Sequence, residues 1–344
     1  MLRIIFINKD MGKKCFMVLL LSLFGIYTTQ AGSPVLKFNQ DGKFKIVQFT
    51  DVHFKYGNPA SDIALERINE VLDAEKPDFV IFTGDVIYGR PADKGMITVL
   101  ELVSRRKIPF GVVYGNHDDE QGMSREDLLK VIQTLPYNLT TQAEGISGVT
   151  NFVLPVKSAT GEKNALILYC LDSHSYSSVK GVGGYDFLKT DQIEWYRRNS
   201  SRFTADNEGI PVPSLAFFHI PLPEYNQAAT DEGAILVGTR MEKACAPVLN
   251  SGMFAAMKQQ KDIVAIFAGH DHDNDYVVAW KGILLGYGRY SGGNTVYNDL
   301  PNGARVIEMK EGKREVETWI RLKGGTLINR IHYPMDFVKK GDPK

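Results

Sequence analysis

Five short apolar segments of this chain each end abruptly in residues that are able to bind a metal ion. The segments are Phe44–Phe49, Asp78–Thr83, Ile108–Tyr114, Ser214–Phe218 and Asp262–Ala268. Short, continuously apolar runs of this kind are typical of buried strands. The residues that follow them are Asp51 and His53, Asp85, Asn116 and His117, His219, and His270 with His272. Since α/β sheets place their sites at the carboxyl ends of strands, we expect these side chains to converge.

The segments between these strands predict a sheet covered by helices. Amphipathic patterns predict helices over 61–75, 93–107, 124–135, 191–203 and 252–260. Further strands are expected at 151–156 and 165–171. The loop that runs to about 240 is long enough to be expected to act as a lid. From Tyr276 onward, short strands predict an antiparallel finish to a second sheet. We expect one domain over 32–322 and a peripheral tail over 323–344.

The amino terminus has the pattern of a secretory signal. Lys13 and Lys14 precede the apolar run Cys15–Ile26, and small residues follow at 31–33. The run is shorter than the roughly 20 apolar residues that span a bilayer. The alternatives are a retained anchor or a buried helix. We expect a signal peptide over 1–31 with the true start at Met11, no stable membrane span after processing, and a secreted or periplasmic protein.

Composition narrows the class of protein. Lys plus Arg and Asp plus Glu both number 40 among 344 residues, and 44% of residues are hydrophobic. A globular protein without a basic field is expected, so no nucleic-acid-binding surface is predicted. After processing only Cys170 and Cys245 would remain, too few for a disulfide scaffold. Whether these two cysteines pair is not readable from the sequence.

The residue types at the strand ends favour a site for two metal ions. Carboxylate and amide oxygens together with imidazole nitrogens suit Zn, Mn or Fe, whereas a Ca²⁺ site would use oxygen alone. Eight such side chains at separate strand ends are too many for one ion and fit two.

The five motifs resemble, in order and spacing, those of calcineurin-like metallophosphoesterases. They are Asp51-Val52-His53, Gly84-Asp85, Gly115-Asn116-His117-Asp118, His219 and Gly269-His270-Asp271-His272. The segments 218–223 and 269–275 resemble most the branch related to purple acid phosphatases. This resemblance implies an α/β fold, a four-layer αββα sandwich of two mixed sheets flanked by helices, with two metal ions at its edge.

The resemblance also implies roles for individual residues. One ion would be held by Asp51, His53, Asp85 and His272, and the other by Asp85, Asn116, His219 and His270. Asp85 would bridge the two ions, which would be Fe, Zn or Mn. A hydroxide shared by the ions would attack phosphorus. His117 would protonate the leaving oxygen as general acid.

Several neighbouring residues have open or weaker assignments. Tyr88 is either a ligand of ferric iron, as in purple acid phosphatases, or a packed aromatic residue beside the site. Asp118 is predicted to orient His117, and Asn116, Arg240 and Arg289 are predicted to bind substrate. His174 is expected to be a hydrogen-bonded loop residue. Asp271, Asp273 and Asp275 are expected to steady the two histidines among them.

Together these expectations predict that the protein is an exported phosphohydrolase that cleaves phosphomonoesters. Its substrate would be a small phosphorylated molecule or a phosphoprotein. One alternative is a phosphodiesterase that acts on nucleotides or lipid head groups, because pocket loops rather than the scaffold decide this preference. Another alternative is a binding protein without turnover on the same scaffold. Such proteins normally lose ligands or the acid, and this sequence retains all of them.

Overall fold

The computed structural model describes residues 34–338, whose strands form a six-stranded and a seven-stranded sheet. The strands are β1 (Lys43–Phe49), β2 (Phe79–Thr83), β3 (Phe110–Val113), β4 (Phe152–Lys157), β5 (Asn164–Cys170), β6 (Ser214–Phe217), β7 (Leu236–Val237), β8 (Ile263–Ala268), β9 (Val277–Trp280), β10 (Ile283–Tyr287), β11 (Gly303–Lys310), β12 (Val316–Leu322) and β13 (Leu327–Tyr333). The helices are α1 (Asp62–Glu75), α2 (Ala92–Ser104), α3 (Arg125–Gln133), α4 (Thr190–Asp206), α5 (Glu224–Thr230) and α6 (Met253–Gln260). Each predicted helix and strand is therefore present, with ends shifted by a few residues.

The first sheet has the order β13-β12-β11-β1-β2-β3. Strands β1, β2 and β3 run parallel, and β11 pairs antiparallel with β1. Helices α1, α2 and α3 pack their apolar faces on one side of this sheet, around buried residues such as Phe49, Ile68 and Leu100. The carboxyl ends of the three parallel strands consequently lie at one edge.

The second sheet has the order β4-β5-β6-β8-β10-β9-β7. Its central strands β5, β6, β8 and β10 are parallel, β4 and β9 run antiparallel to them, and β7 pairs antiparallel with β9. Helices α4, α5 and α6 pack on one face with buried residues that include Tyr196 and Met257. Helix α4 connects β5 to β6, and the segment with α5 and α6 connects β6 to β8. Such crossovers are needed because consecutive parallel strands must start from the same end of the sheet.

A third apolar layer lies between the two sheets and joins them. It contains Phe44, Phe79, Leu168, Phe217 and Phe267, all fully buried. Burying one such side chain stabilises the fold by about 1.5–3 kcal/mol relative to leaving it in water. The four-layer αββα sandwich of two mixed sheets that the resemblance implied is therefore confirmed.

Three expectations about connectivity are wrong in detail. The strands β11 and β12 were expected to finish a second sheet, but they extend the first sheet beside β1. The segment 323–344 was expected to be a peripheral tail, but it includes β13, which forms the edge of that sheet. The loop expected to run to about 240 contains α5 and β7. An apolar pattern identifies a strand but not its partner, because pairing is decided by distant residues.

The signal peptide predicted over 1–31 lies outside the described residues. No helix within 34–338 has both the length and the apolar character needed to cross a membrane. Cys170 is a buried free thiol and Cys245 is an exposed one, so these two residues do not form a disulfide with each other.

The placement of β13 predicts unequal effects for two substitutions on that strand. Ile331 is 4% exposed and packs between the sheets, whereas Leu327 is 42% exposed. Ile331→Ala should lower the free energy of unfolding by about 2–5 kcal/mol, because a cavity forms in the core. Leu327→Ala should change it by no more than about 0.5 kcal/mol. Chemical denaturation measures both, and equal effects would mean that this strand is peripheral.

Candidate metal centre

Five strand ends from the two sheets meet and bring the predicted metal-binding side chains together. Asp51 and His53 follow β1, Asp85 follows β2, and Asn116 follows β3. His219 follows β6, and His270 with His272 follows β8. All seven residues are at least 92% buried. The site thus lies where the parallel strands of both sheets end.

The backbone of these loops adopts a conformation that side chains usually avoid. Asp51, His53, Asp85 and His270 have φ values of 53°, 46°, 50° and 81°. Left-handed φ is uncommon for residues other than glycine, and it occurs at functional sites where the surroundings enforce it. Backbone hydrogen bonds do so here, because the Asp51 and His53 N–H groups donate to the carbonyls of Gly84 and Asp85 at 3.1 and 2.9 Å.

Glycine is required at two places where the loops approach each other closely. A Cβ atom on Gly115 would lie 2.1 Å from Asp85 Oδ1. A Cβ on Gly269 would lie 1.9 Å from Thr50 Oγ1. These glycines allow the ends of β2 with β3, and of β1 with β8, to come together.

The first group of candidate ligands consists of Asp51, His53 and His272. Their donor atoms all lie within 4.8 Å of one another. His53 Nε2 lies 3.0 Å from His272 Nε2, and these two nitrogens lie 3.9 and 3.7 Å from Asp51 Oδ1. One imidazole from β1 and one from β8 therefore face a shared carboxylate.

The second group consists of Asp85, His219 and His270, again with donor atoms within 4.8 Å of one another. His219 Nε2 lies 3.2 Å from Asp85 Oδ2 and 3.3 Å from His270 Nδ1. Asn116 Oδ1 is 3.2 Å from the same His219 nitrogen. Asp85 Oδ2 also lies 3.6 Å from His53 Nε2, so this carboxylate stands between the two groups.

The hydrogen bonds on the outer ring nitrogens show that the donor set fits cations. His219 Nδ1 donates to the Thr83 carbonyl at 2.7 Å, and His272 Nδ1 donates to the Tyr297 carbonyl at 2.9 Å. These bonds turn Nε2 of each ring into the site, where it can bind a cation once it carries no proton. Imidazole nitrogens and carboxylate oxygens consequently face one another at short range, which is favourable only with positive charge among them, from a bound cation or from a proton on a ring such as His219.

Electrostatics supports the same conclusion. Burial lowers the pKa of His53 and His270 well below the usual range, so both rings are neutral and available as ligands. Although burial alone would lower it, the carboxylates of Asp85 and Asp51 raise the pKa of His219 to about 9. Burial opposes ionisation of Asp85 as well, yet His219 and His53 hold its pKa well below the usual range. Burial raises the pKa of Asp51 in spite of the neighbouring His219 and His272, so the Asp85 carboxylate is the group that most attracts positive charge into this site.

His117 lies at the rim of this centre. Its backbone N–H donates to Asp85 Oδ1 at 2.8 Å, and its ring centroid is 5.6 Å from that of His53. The ring is partly exposed, and its Nδ1 lies 2.6 Å from Glu120 Oε2. The Glu120 carboxylate therefore orients the imidazole through Nδ1, and Nε2 makes no hydrogen bond with any residue within 34–338.

The prediction that Asp118 orients His117 is wrong. The Asp118 carboxylate instead accepts hydrogen bonds from the backbone N–H groups of residues 85–87 and of Gly115, at 2.8–3.2 Å. It holds the loop that carries Asp85 in its left-handed conformation. Glu120 makes the contact with His117, and the sequence signal for it was its place three residues further on in a tight turn.

The prediction that Arg289 binds substrate is also wrong. Its side chain is 2% exposed, with Nη1 at 2.5 Å from Asp275 Oδ2 and Nε donating to the Pro301 carbonyl at 2.7 Å. A guanidinium in a buried ion pair stabilises the fold and is not accessible to a substrate. Arg240 is exposed, and its Nη1 lies 3.5 Å from the Ala229 carbonyl, so its role toward a substrate stays a prediction.

Asn116 and Tyr88 both lie against the centre. The Asn116 amide nitrogen is buried and makes no hydrogen bond with another described residue. It is thus available to a bound phosphate, a role that stays a prediction. The half-buried Tyr88 ring stands edge-on to His53 and His117, with centroids 5.2 and 5.0 Å away. These contacts favour the packed aromatic residue over the ligand.

The weaker assignments for His174 and Asp271 agree with the structure, whereas Asp273 and Asp275 contact other loops rather than the two histidines. His174 Nε2 lies 2.9 Å from the Gln192 side-chain oxygen, as expected for a loop histidine. Asp271 accepts from the Tyr287 hydroxyl at 2.6 Å and steadies the turn between His270 and His272. Asp275 accepts from the Thr239 backbone at 2.6 Å, and Asp273 from that of Asp299 at 2.7 Å.

Comparison with known proteins agrees with the geometry. The family model described as calcineurin-like phosphoesterase matches residues 44–274. An Arabidopsis thaliana protein named "Probable inactive purple acid phosphatase 14" is 31% identical over 87% of this chain and 86% of its own length. The "Phosphatase DCR2" of Saccharomyces cerevisiae is 34% identical over 87% of this chain, which spans 57% of that protein.

A solved structure resembles the fold over most of its length. It is a dimetal phosphatase from Danio rerio, which superposes with a TM-score of 0.59 at 13% identity. The match covers 84% of this chain and 98% of that one. At this identity the likeness concerns the fold alone.

The contacts of Asp118 predict a loss of metal and stability when its charge is removed. Both carboxylate oxygens accept from two backbone N–H groups each, so an Asn amide in either orientation would face two donors. Asp118→Asn should therefore lower the free energy of unfolding by about 1–3 kcal/mol and reduce bound metal. Elemental analysis and denaturation measure the two effects. Asp119→Asn, in the same turn but exposed, is the control, and equal results for both variants would contradict the assignment.

Proposed function

This chain belongs to the calcineurin-like phosphoesterase family, and we propose that it is a dinuclear-metal phosphomonoesterase. The observation that carries the proposal is the position of Asp85 between two groups of buried donors, with His117 at the rim. Two groups that share a carboxylate suit a pair of ions, and a histidine beside them suits proton transfer to a departing oxygen.

Fe, Zn or Mn ions, when bound, would supply the Lewis acidity and the activated water that phosphate ester hydrolysis requires. The residues present would offset only part of their charge. Two divalent ions carry four positive charges, and Asp51 with Asp85 offsets two of them while the histidines are neutral. The net positive charge favours a phosphate monoester dianion over a diester monoanion. The unpartnered Asn116 amide would donate to a phosphate oxygen.

His117 would hold the proton that the leaving group needs. Glu120 Oε2 engages its Nδ1 at 2.6 Å, so the opposite nitrogen is the one that would transfer the proton. The hydrogen bond from the His117 backbone to Asp85 Oδ1 places the ring beside the centre. Glu120 acts through His117 and is therefore a positioning residue rather than a catalytic one.

Turnover is favoured over binding alone. One relative is named a probable inactive phosphatase and another is named a phosphatase, so the names of relatives do not decide between turnover and binding. In this chain the two donor groups, Asn116 and the histidine at the rim are all present and oriented toward one another. A binding protein has no need for the His117–Glu120 pair.

The proposal also includes the site of action and the substrate. The amino-terminal pattern of residues 13–33 favours export to the periplasm or the outside of the cell. The balanced charge favours a small phosphorylated molecule or a phosphoprotein over a nucleic acid.

A substrate panel distinguishes the monoesterase from the diesterase. The mature protein, stripped by a chelator and reloaded with Mn, Zn or Fe, should cleave para-nitrophenyl phosphate in preference to bis-para-nitrophenyl phosphate. Chelation should abolish both activities, and metal addition should restore them. A higher kcat/KM for the bis ester would support the phosphodiesterase, and no cleavage of either ester with any metal would rule out the proposal.

Two substitutions separate metal binding from proton transfer. His117→Ala should keep both metal equivalents but lower kcat by about 10²–10⁴-fold, since a general acid contributes about that much. Asp85→Asn should lose metal, because the shared carboxylate is gone. Elemental analysis of the purified variants together with kcat is the measurement. Two metals retained in Asp85→Asn would refute the bridging role of that residue.

A further inference from the structure

The segment after β5 forms a hairpin that presents a pair of tyrosines next to the metal centre. The Asp186 N–H donates to the Ser175 carbonyl and the Ser177 N–H donates to the Gly184 carbonyl, both at 2.9 Å. Tyr176 and Tyr185 lie opposite each other across this hairpin. Their rings stack with centroids 5.6 Å apart and planes inclined by 24°. The two rings therefore form an aromatic platform.

This platform is anchored to the candidate metal centre at three points. The Tyr185 ring stands edge-on to His270, with centroids 4.2 Å apart. The Ser175 hydroxyl donates to the Asn116 carbonyl at 3.2 Å. The Tyr176 hydroxyl donates to Glu120 Oε1 at 3.4 Å. The hairpin is consequently part of the wall of the site.

Tyr176 has one ring face covered and the other available. Tyr185 packs against the first face, and the residue as a whole is 50% exposed. Free stacking faces of aromatic rings favour other planar groups, because offset stacking adds to the burial of apolar surface.

The connection through Glu120 places Tyr176 on the side of the site where the leaving group departs. Glu120 contacts the Tyr176 hydroxyl with one oxygen and His117 Nδ1 with the other. In the proposed reaction the bond between phosphorus and the ester oxygen breaks. Water supplies the oxygen that stays on phosphorus, and His117 gives a proton to the departing oxygen. The group attached to that oxygen then lies beside Tyr176.

We propose that Tyr176 is a specificity-determining residue that stacks on an aromatic leaving group, so that the preferred substrates are phosphate monoesters of phenol-type alcohols. This inference rests on the proposed function. Tyr297 is the competing platform, since its ring stacks on His272 with centroids 4.5 Å apart and it is 61% exposed. Tyr297 has no contact with His117 or Glu120 among its aromatic and hydrogen-bond contacts within residues 34–338, so it lies on the side of the first donor group.

Binding of non-hydrolysable ligands tests the inference without turnover. Calorimetry on the metal-loaded protein compares phenylphosphonate with cyclohexylphosphonate, which has similar size but no aromatic face. The wild-type protein should bind the phenyl ligand more tightly by about 2- to 12-fold, the range of one aromatic contact. Tyr176→Leu should abolish this ratio and Tyr176→Phe should keep it, because the ring rather than the hydroxyl is responsible. Tyr297→Leu should also keep the ratio.

The same variants are then compared for kcat/KM on phenyl phosphate and cyclohexyl phosphate. Each ratio is divided by the wild-type ratio, so the different leaving-group acidities cancel. A ratio that falls in Tyr297→Leu but not in Tyr176→Leu, or in neither, would overturn the inference while leaving the proposed function intact. Failure of the wild-type protein to cleave any ester would instead overturn the proposed function.

The aromatic alcohol has two possible sources, and matched peptides separate them. A phosphotyrosyl peptide cleaved faster than the phosphoseryl peptide of the same sequence, with the difference lost in Tyr176→Leu, supports the inference with a protein substrate. Preference confined to free phenyl phosphate supports it with a small-molecule substrate. Equal rates for phosphotyrosyl and phosphoseryl peptides, together with equal affinities for the two phosphonates, would contradict it.

Discussion

The shared position of the Asp85 carboxylate is the constraint on which the rest of the site depends. Its Oδ2 lies within 3.6 Å of His53 from one donor group and 3.2 Å of His219 from the other, so it connects groups contributed by both sheets. The Asp118 carboxylate holds the loop that carries Asp85 by accepting its backbone N–H groups. The absence of a Cβ at Gly115 leaves room for the Asp85 side chain. A shift of this loop would separate the two groups.

Without bound cations, such a site lowers the stability of the folded state. Two carboxylates and four imidazoles are nearly or completely buried, and their oxygen and nitrogen atoms are directed at one another. Buried charges and unpaired acceptors destabilise a protein by several kcal/mol unless opposite charge compensates them. Bound metal ions would provide that compensation, so metal binding and stability are expected to be coupled. The left-handed backbone at Asp51, His53, Asp85 and His270 adds strain that the packed sheets beneath must sustain.

Metal binding and substrate specificity are assigned to different parts of the molecule. The sheets and their strand ends supply the donor groups, and members of one family share such a scaffold while they differ in substrate. Specificity is expected in the loops above the strand ends. In this chain the hairpin with Tyr176 and Tyr185 is such a loop, and its contacts with Asn116, Glu120 and His270 tie it directly to the centre. If Tyr176 selects the leaving group as proposed, a relative with the same donor groups and a different hairpin is expected to differ in that preference.

Local sequence is sufficient to predict the strands, the helices and the residues at the five strand ends, because apolar periodicity and donor chemistry are local properties. Long-range packing selects the partners of β11, β12 and β13, since strand pairing depends on residues far apart in the chain. It also decides that Glu120 rather than Asp118 contacts His117, and that Asp275 buries Arg289 in an ion pair. These choices depend on the direction of side chains in packed loops, and the direction follows from contacts that no local pattern encodes.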